Sequence, residues 1–368
     1  MKLLNASHRF FIILILSIGC FLNSNAQSEI DNAVFEKYFK SIDDFSGTVL
    51  VSVNGVPIFK KSYGFANLEF DIKNNIDTKF KIGSLTKQFT SMGIFILYDK
   101  GKLRLNDKIS KYIDSLPNTW QNITIYQLLN HMSGLMHSWE LEDFGKTMSI
   151  QRTLDENIKR FYNQPMLSVP GEKAHYSGLG YFILAKIIEN ISGMSYDVYM
   201  RKEIFDKLGM KNSGADNPRS ILKNRASGYQ SDSIGMRNSD YIFTPILTGG
   251  GDLYSTVDDL LLWDKAIYNN LLISDSTKNR IFTPRDSYGC GFGQGYTKIQ
   301  KNADERSLAI PDSLYSMSHT GWVPGFSSRL DRFPDKKVLI VILLNCDNID
   351  IISNGAFTQI ALKEIYKR

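Results

Sequence analysis

The chain has 368 residues, of which 43% are hydrophobic, so it is long enough to bury a substantial core. The formal net charge of +5 is small and spread along the chain, and no basic cluster is interleaved with aromatic residues. This pattern argues against nucleic acid as a partner. The five histidines show no paired metal-ligand spacing, so the sequence predicts neither a metal site nor a cofactor.

The N-terminus has the pattern of a secretory signal peptide over residues 1–26. Basic residues precede an apolar stretch over residues 10–22, and Ser24-Asn25-Ala26 offers a small-x-small cleavage site. The apolar stretch is short compared with the roughly 20 residues that span a bilayer. We therefore expect an exported protein, periplasmic or extracellular, without a stable transmembrane span after cleavage. An uncleaved anchor and lipid attachment at Cys20 remain as alternatives.

The elements near the start of the chain are a helix and a hairpin. A helix is expected over residues 30–41, and two strands over 46–53 and 56–63 flank an Asn54-Gly55 turn. A loop over residues 65–76 then leads to the next helix.

Helices dominate the middle of the chain and strands return near its end. The expected helices lie at 84–101, 124–129, 150–162, 181–192, 196–208 and 256–266. Strands over 327–333 and 338–344 precede a closing helix over 357–366. This order predicts one α+β domain over residues 27–368. Its antiparallel sheet uses both chain ends (about 30–85 and 285–368), with a mostly helical region inserted at about 86–284.

Ser84 and Lys87 are the first candidates for catalysis. Ser84 follows a glycine at the start of a predicted helix, and Lys87 lies three residues further, on the same helix face. A serine hydroxyl needs a base within hydrogen-bond reach, and a lysine can serve if burial lowers its pKa. The helix N-terminus adds backbone N–H groups beside a developing oxyanion. An exposed helix start with a solvated lysine is the alternative interpretation of this common spacing.

A second candidate is Tyr176, in the glycine-flanked stretch His175-Tyr176-Ser177-Gly178. A phenol between two cations can lose its proton near neutral pH, act as a base and return the proton to a leaving group. The alternative is a tyrosine packed in a loop.

The third stretch is His319-Thr320-Gly321-Trp322. A glycine at a strand end allows close approach of a substrate, and the N–H of Trp322 can join that of Ser84 in a two-donor oxyanion hole. His319 and Thr320 would contact a substrate carboxylate or assist proton transfer. A satisfied surface histidine is the alternative for His319.

Ser84-x-x-Lys87, Tyr176-Ser177-Gly178 and His319-Thr320-Gly321 together resemble the three motifs of the serine β-lactamase and penicillin-binding protein family. The resemblance is to its class C-related branch, which includes D-alanyl-D-alanine peptidases and esterases, and it extends from about residue 45 to the C-terminus. Residues 128–135 and 249–256 also resemble that branch.

The resemblance implies a β-lactamase/transpeptidase-like fold, with the site between the sheet and an all-helical region. It further implies that Ser84 is the acylated nucleophile and that Lys87 and Tyr176 transfer protons. The backbone N–H groups of Ser84 and Trp322 would form the oxyanion hole.

Two positions depart from the family pattern. The family often has asparagine where Gly178 stands, so a side-chain contact to a substrate amide is missing. True β-lactamases usually have lysine where His319 stands, and a histidine only partly charged at neutral pH would anchor a carboxylate weakly and in a pH-dependent way. Both departures predict poor β-lactam hydrolysis.

The sequence thus predicts an exported serine hydrolase that forms a Ser84 acyl-enzyme with a small substrate. The substrate would be a D-amino-acid peptide, such as one derived from the cell wall, an ester or a β-lactam. An α/β-hydrolase would need a Gly-x-Ser-x-Gly elbow, which the sequence lacks. The alternative from another class is a non-catalytic ligand-binding or scaffold relative. Cys290 and Cys346 could pair or remain buried thiols.

Overall fold

A computed structural model of the protein describes residues 32–232, 235–282, 287–302, 304, 310–347 and 349–367. The predicted signal peptide over residues 1–26 and the cysteine at position 20 lie outside the described residues. Among the described residues, no helix combines the length and the apolar character needed to cross a membrane.

The long strands lie near the two ends of the chain, and shorter strands lie between them. In chain order they are β1 (Gly47–Val53), β2 (Val56–Tyr63), β3 (Phe65–Asn67), β4 (Ile72–Lys73), β5 (Phe80–Lys81), β6 (Gly214–Ala215), β7 (Tyr229–Asp232), β8 (Gly235–Asn238), β9 (Leu253–Ser255), β10 (Ser287–Gly289), β11 (Phe292–Lys298), β12 (Ser313–Val323), β13 (Phe326–Phe333) and β14 (Val338–Leu344).

The helices lie mainly between the two groups of long strands. They are α1 (Asn32–Lys40), α2 (Thr86–Asp99), α3 (Ile125–Leu129), α4 (Leu154–Lys159), α5 (Gly178–Ser192), α6 (Tyr196–Met200), α7 (Asp206–Leu208), α8 (Val257–Ile267), α9 (Asp275–Phe282), α10 (Ile349–Ser353) and α11 (Ala356–Tyr366). A π-helical turn over Arg201–Phe205 joins α6 to α7.

One antiparallel sheet joins the two ends of the chain, in the order β10-β11-β12-β13-β14-β1-β2. Strand β1 pairs with β14 from Gly47 opposite Leu344 to Val53 opposite Val338. This sheet, with helices around it and a mainly helical middle of the chain, confirms the predicted fold class.

Helices cover both faces of the sheet. Phe59 on β2 packs edge-on against Phe35 of α1, whereas its neighbour Lys60 reaches Asp258 of α8 at 2.9 Å. Because successive side chains of a strand point to opposite faces, α1 and α8 lie on opposite sides. The wholly apolar and buried sequence of β14 follows from this double cover.

Several local predictions were wrong or incomplete. The predicted loop over 65–76 contains the short hairpin β3–β4. In place of the predicted helix over 150–162 the structure has the shorter α4, which ends at Lys159. This helix begins only at Leu154, because the Thr153 side chain caps it by accepting from the N–H of Glu156. The predicted helix over 196–208 includes the π-helical turn. Cys290 and Cys346 are both buried and are not joined by a disulfide.

Candidate active site

Ser84 lies in a 3₁₀ turn over Gly83–Leu85 that runs directly into α2. Gly83 has a φ of +49°, and a Cβ added there would lie 2.6 Å from the backbone nitrogen of Trp322. A Cβ on Gly321 would lie 2.1 Å from the carbonyl oxygen of Ile82. Both positions therefore require glycine, because the serine turn is pressed against strand β12.

Lys87 is 1% exposed and its ammonium nitrogen lies within hydrogen-bond distance of two groups. Its Nζ is 3.0 Å from Ser84 Oγ and 2.7 Å from the carbonyl oxygen of Gly250. Burial lowers the pKa of Lys87 to about 7. A substantial share of the Lys87 side chains is thus neutral at physiological pH, and a neutral amine can accept a proton from Ser84.

The glycine turn before β9 holds Lys87 in place. Thr90 Oγ1, one turn beyond Lys87 on α2, donates to the carbonyl of Gly249 at 2.7 Å. The N–H of Gly249 donates to Asp252 Oδ1 at 2.9 Å. Burial raises the pKa of Asp252 to about 8, so this carboxyl group is mostly protonated at pH 7. The turn therefore presents two carbonyl groups to α2 without adding a full negative charge.

Tyr176 comes together with Ser84 and Lys87, as the motifs predict. Lys87 Nζ lies 4.8 Å from the centre of the Tyr176 ring, and the phenol lies close enough to Ser84 for that side chain to affect its pKa. Burial raises the pKa of Tyr176 well above 10, although the contact with Ser84 lowers it slightly. The expectation of a phenolate between two cations was wrong, because the ring is desolvated and the partly charged Lys87 is its one cationic neighbour in the described part of the chain.

The loop that carries Tyr176 is fixed by hydrogen bonds at the start of α5. Ser177 Oγ accepts from the N–H of Gly180 at 3.1 Å and donates to the carbonyl of Met136 at 2.8 Å. The N–H of Ser177 donates to His131 Nδ1 at 3.0 Å, and the His131 ring packs 4.4 Å from that of Tyr176. His131 therefore orients the loop as a neutral acceptor.

His319 is half-buried beside Tyr176 and is neutral at pH 7, which corrects the expectation of a partly charged ring. Burial, and secondly the charge of Lys87, lower the pKa of His319 to about 4. Its Nδ1 faces the carbonyl of Thr320 and must donate, so Nε2 accepts from the Tyr288 hydroxyl at 3.1 Å. Thr320 itself is exposed on β12.

The cleft at Ser84 is a narrow cavity of about 20 Å³, enough for roughly one water molecule. Its lining is mainly aromatic, aliphatic and glycine, with a few polar groups. The lining residues are Ser84, Lys87, His137, Ser138, Trp139, Gly178, Phe182, Leu247, Gly250, Gly251, Trp322 and Val323. Among the described residues, no group of three or more His, Cys, Asp or Glu side chains could hold a metal ion.

The sequence profile of the Beta-lactamase family matches residues 35–357. The chain belongs to this family. It is 29% identical to Penicillin-binding protein 4* of Bacillus subtilis over 322 residues, which cover 82% of this chain and 68% of that protein.

Solved structures of related proteins have the same fold. A penicillin-binding protein from Bacillus halodurans superposes with a TM-score of 0.74 at 25% identity, covering 91% of this chain and 98% of that one. A D-amino acid amidase from Ochrobactrum anthropi, complexed with D-phenylalanine, gives a TM-score of 0.75 at 19% identity, covering 92% and 99%. Membership of the Beta-lactamase family supports a serine hydrolase activity for this chain.

Several cleft residues of this family member were not predicted as site residues. Gly250 lies in a stretch that resembles the family, so that resemblance could have indicated it. His137, Ser138 and Trp139 lie at a short 3₁₀ turn in the connection that follows α3, and no periodic pattern relates them to Ser84. Their contribution depends on how this loop folds back over α5.

Proposed function

We propose that the protein is an exported serine hydrolase that forms an acyl-enzyme at Ser84. The observation that carries this proposal is the buried Lys87, whose Nζ lies 3.0 Å from Ser84 Oγ and whose pKa burial lowers to about 7. Neutral Lys87 takes the proton of the Ser84 hydroxyl as Oγ attacks the acyl carbonyl of the substrate. Because burial raises the pKa of Tyr176, lysine rather than a tyrosinate is the base in this proposal.

The backbone N–H groups of Ser84 and Trp322 are proposed as the oxyanion hole. Ser84 lies in the turn before α2, and the backbone nitrogen of Trp322 lies so close to this turn that a Cβ at position 83 would be only 2.6 Å from it. Two N–H donors fixed before the reaction stabilise the tetrahedral oxyanion without reorganisation. The Tyr176 hydroxyl, next to Ser84, passes its proton to the leaving group and receives the serine proton from Lys87 in exchange, so that both side chains are neutral again before water hydrolyses the Ser84 ester.

The substrate is proposed to lie along the end of β12. Strand β11 pairs with β12 only as far as Gly293 opposite Ser318, whereas β13 pairs with it through Val323. Among the described residues, no strand of the main sheet therefore covers one edge of the stretch His319-Thr320-Gly321, and an extended substrate can pair with that edge. Gly178 borders the cleft on the opposite, helical side.

The proposed substrates are small acyl compounds, namely D-amino-acid peptides, esters or β-lactams. Burial holds His319 neutral, and Lys87 is the only lysine or arginine among the described residues that line the cleft. The aromatic walls favour an uncharged acyl group over one that depends on carboxylate anchoring. An N-acylated D-amino-acid ester or amide, whose acyl group is uncharged, fits this chemistry best.

A fluorophosphonate probe tests the proposal, because it forms a covalent bond with an activated serine. We expect labelling of the wild-type protein at Ser84 and loss of labelling in Ser84→Ala. The competing hypothesis is a non-catalytic ligand-binding or scaffold relative. A folded wild-type protein that neither reacts with the probe nor hydrolyses esters would favour that alternative.

A further inference from the structure

The imidazole of His137 borders the cleft from the helical side. His137 lines the cavity together with Ser84, Lys87 and Gly178. It precedes the 3₁₀ turn Ser138–Glu140, and its backbone N–H donates to Glu140 Oε2 at 2.8 Å. Neither the spacing of the motifs nor the proposed proton transfers give this residue a task.

The hydrogen bonds of His137 define which ring nitrogen carries the hydrogen. The backbone N–H of Gly178 can only donate, and it lies 3.4 Å from His137 Nδ1. The Ser138 hydroxyl lies 3.3 Å from the same nitrogen. Burial, followed by the charge of Lys87, lowers the pKa of His137 to about 4, so the ring is neutral at pH 7. With Nδ1 as acceptor, the hydrogen of the neutral ring is on Nε2.

The Nε2–H group of His137 has no protein partner in the described part of the chain, where the hydrogen bonds of this ring all involve Nδ1. Nε2 is also not among the fully buried polar atoms that lack a partner. It is therefore a donor that remains accessible on a residue of the cleft lining.

The space beside Gly178 explains why the imidazole occupies this place. A Cβ added to Gly178 would lie 2.7 Å from Ser138 Oγ and 3.1 Å from both Cε1 and Nδ1 of His137. A side chain at position 178 would therefore collide with these two residues. The helical side of the cleft contains a histidine donor where Gly178 itself contributes none.

We propose that His137 Nε2–H binds the carbonyl oxygen of an amide on the acyl side of the substrate, as in an N-acylated D-amino-acid ester or peptide. This inference deepens the proposed function and rests on it. A substrate that extends along the edge of β12 lies between that strand and His137. The strand then pairs with the substrate backbone, while His137 donates a hydrogen bond to the substrate amide from the helical side. His137 is then a determinant of specificity rather than a group that transfers protons.

A matched pair of substrates tests this inference. One is the p-nitrophenyl ester of N-acetyl-D-alanine. The other is the p-nitrophenyl ester of 2-methylpentanoic acid with the same configuration at the carbon next to the ester carbonyl, in which two methylene groups replace the amide. We expect His137→Ala to lower kcat/KM about 10-fold for the first ester, the effect of losing a hydrogen bond of about 1.4 kcal/mol. For the second ester we expect a change below about 3-fold, because it offers no amide carbonyl.

Two further substitutions separate the donor from the shape of the side chain. His137→Gln places an amide N–H near the position of Nε2 and is expected to recover most of the lost discrimination. His137→Asn can still accept from the N–H of Gly178 but does not extend to Nε2, so it should behave like His137→Ala. The control is His175→Ala, because His175 contacts Glu140 at 3.1 Å without lining the cleft, so its loss should change neither ester.

The outcomes distinguish this inference from the proposed function. An equal loss on both esters, or no change on either, would overturn the role of His137 and leave a Ser84 hydrolase intact. A wild-type protein that hydrolyses neither ester, or whose Ser84→Ala variant retains the activity, would overturn both. Thermal unfolding of each variant shows whether a loss comes from misfolding.

Discussion

Lys87 Nζ lies 2.7 Å from the carbonyl oxygen of Gly250, a residue 163 positions further along the chain. This contact ties the start of α2 to the glycine turn before β9. A neutral lysine that donates one hydrogen to this carbonyl can direct its lone pair to the Ser84 hydroxyl, 3.0 Å away. The glycine turn therefore orients the base, and the chemistry of Ser84 depends on both parts of the chain.

The pH dependence of acylation should follow the ionisation of Lys87. Burial lowers the pKa of Lys87 to about 7, and only the neutral amine can accept a proton. We expect kcat/KM for a neutral ester to rise with pH up to about 7 and to level off above it. Steady-state kinetics between pH 5 and 9 measure this profile. A rate that is still rising at pH 9 without levelling off would contradict the assignment of Lys87 as the base.

Lys87→Arg is the matched variant for that profile, since a guanidinium keeps the positive charge but does not deprotonate in this pH range. We expect it to lose about 100-fold or more in kcat/KM, the usual effect of removing a general base. Activity close to that of the wild-type protein at every pH would show that position 87 does not transfer the proton.

Burial of Lys87 should lower stability, and Lys87→Met should reveal by how much. In the folded protein the pKa of Lys87 is about 7, whereas its ordinary value is 10.5, so between these pH values the unfolded chain binds more protons. The unfolding free energy of the wild-type protein should rise with pH relative to Lys87→Met, by about 1.4 kcal/mol per pH unit between pH 7.5 and 9.

Urea unfolding of both proteins at several pH values gives the difference directly, because other groups titrate equally in the two chains. Asp252→Asn provides a control in which the pH dependence of the stability difference has the opposite sign. Burial raises the pKa of Asp252 from 3.8 to about 8, so between these pH values the folded protein binds more protons than the unfolded chain. The unfolding free energy of Asp252→Asn should therefore rise relative to that of the wild-type protein as the pH increases from 4 to 8. A pH-independent difference between wild type and Lys87→Met would contradict a neutral buried lysine.

Gly321→Ala should disrupt the oxyanion hole. Its Cβ would lie 2.1 Å from the carbonyl oxygen of Ile82 and 3.0 Å from the nitrogen of Ser84, so the serine turn must move away from β12. We expect a loss of about 100-fold in kcat and a destabilisation of about 2 kcal/mol. Kinetics and thermal unfolding measure the two effects. The control is Gly145→Ala, where the added Cβ has no atom within 4 Å.

His319→Lys should change the charge preference of the site. The wild-type ring is neutral because burial and the charge of Lys87 lower its pKa to about 4. A lysine at this position would favour substrates with a free carboxylate, by about 10-fold in the ratio of kcat/KM values for a carboxylate substrate and its methyl ester. His319→Gln, which stays neutral, serves as the comparison, and an unchanged ratio in His319→Lys would exclude a binding role.

Much of the fold follows from local patterns in the sequence. The Asn54-Gly55 turn fixes the hairpin of β1 and β2, with Val53 opposite Val56. The apolar sequence of β14 indicates a strand covered on both faces. The capping residues Thr124 and Thr256 mark where α3 and α8 begin.

The residues of the candidate site were predictable from the three motifs taken together, but their geometry was predictable only where a motif has fixed spacing along the chain. Ser84 and Lys87 are neighbours on one helix, so their contact follows from helical geometry. The ionisation states of Tyr176 and His319 were predicted wrongly, because burial depends on side chains that come from distant segments. The position of His137 depends in the same way on a loop without periodicity.

The acyl-enzyme at Ser84 is tested most directly by the mass of the intact protein during turnover of a p-nitrophenyl ester, with rapid quenching in acid. We predict a transient adduct with the mass of the acyl group, mapped by peptide analysis to Ser84, together with an equimolar burst of p-nitrophenol. Ser84→Ala should show neither the adduct nor the burst while its fold remains intact. Sustained turnover by Ser84→Ala, or an adduct that maps to another residue, would contradict the acyl-enzyme at Ser84.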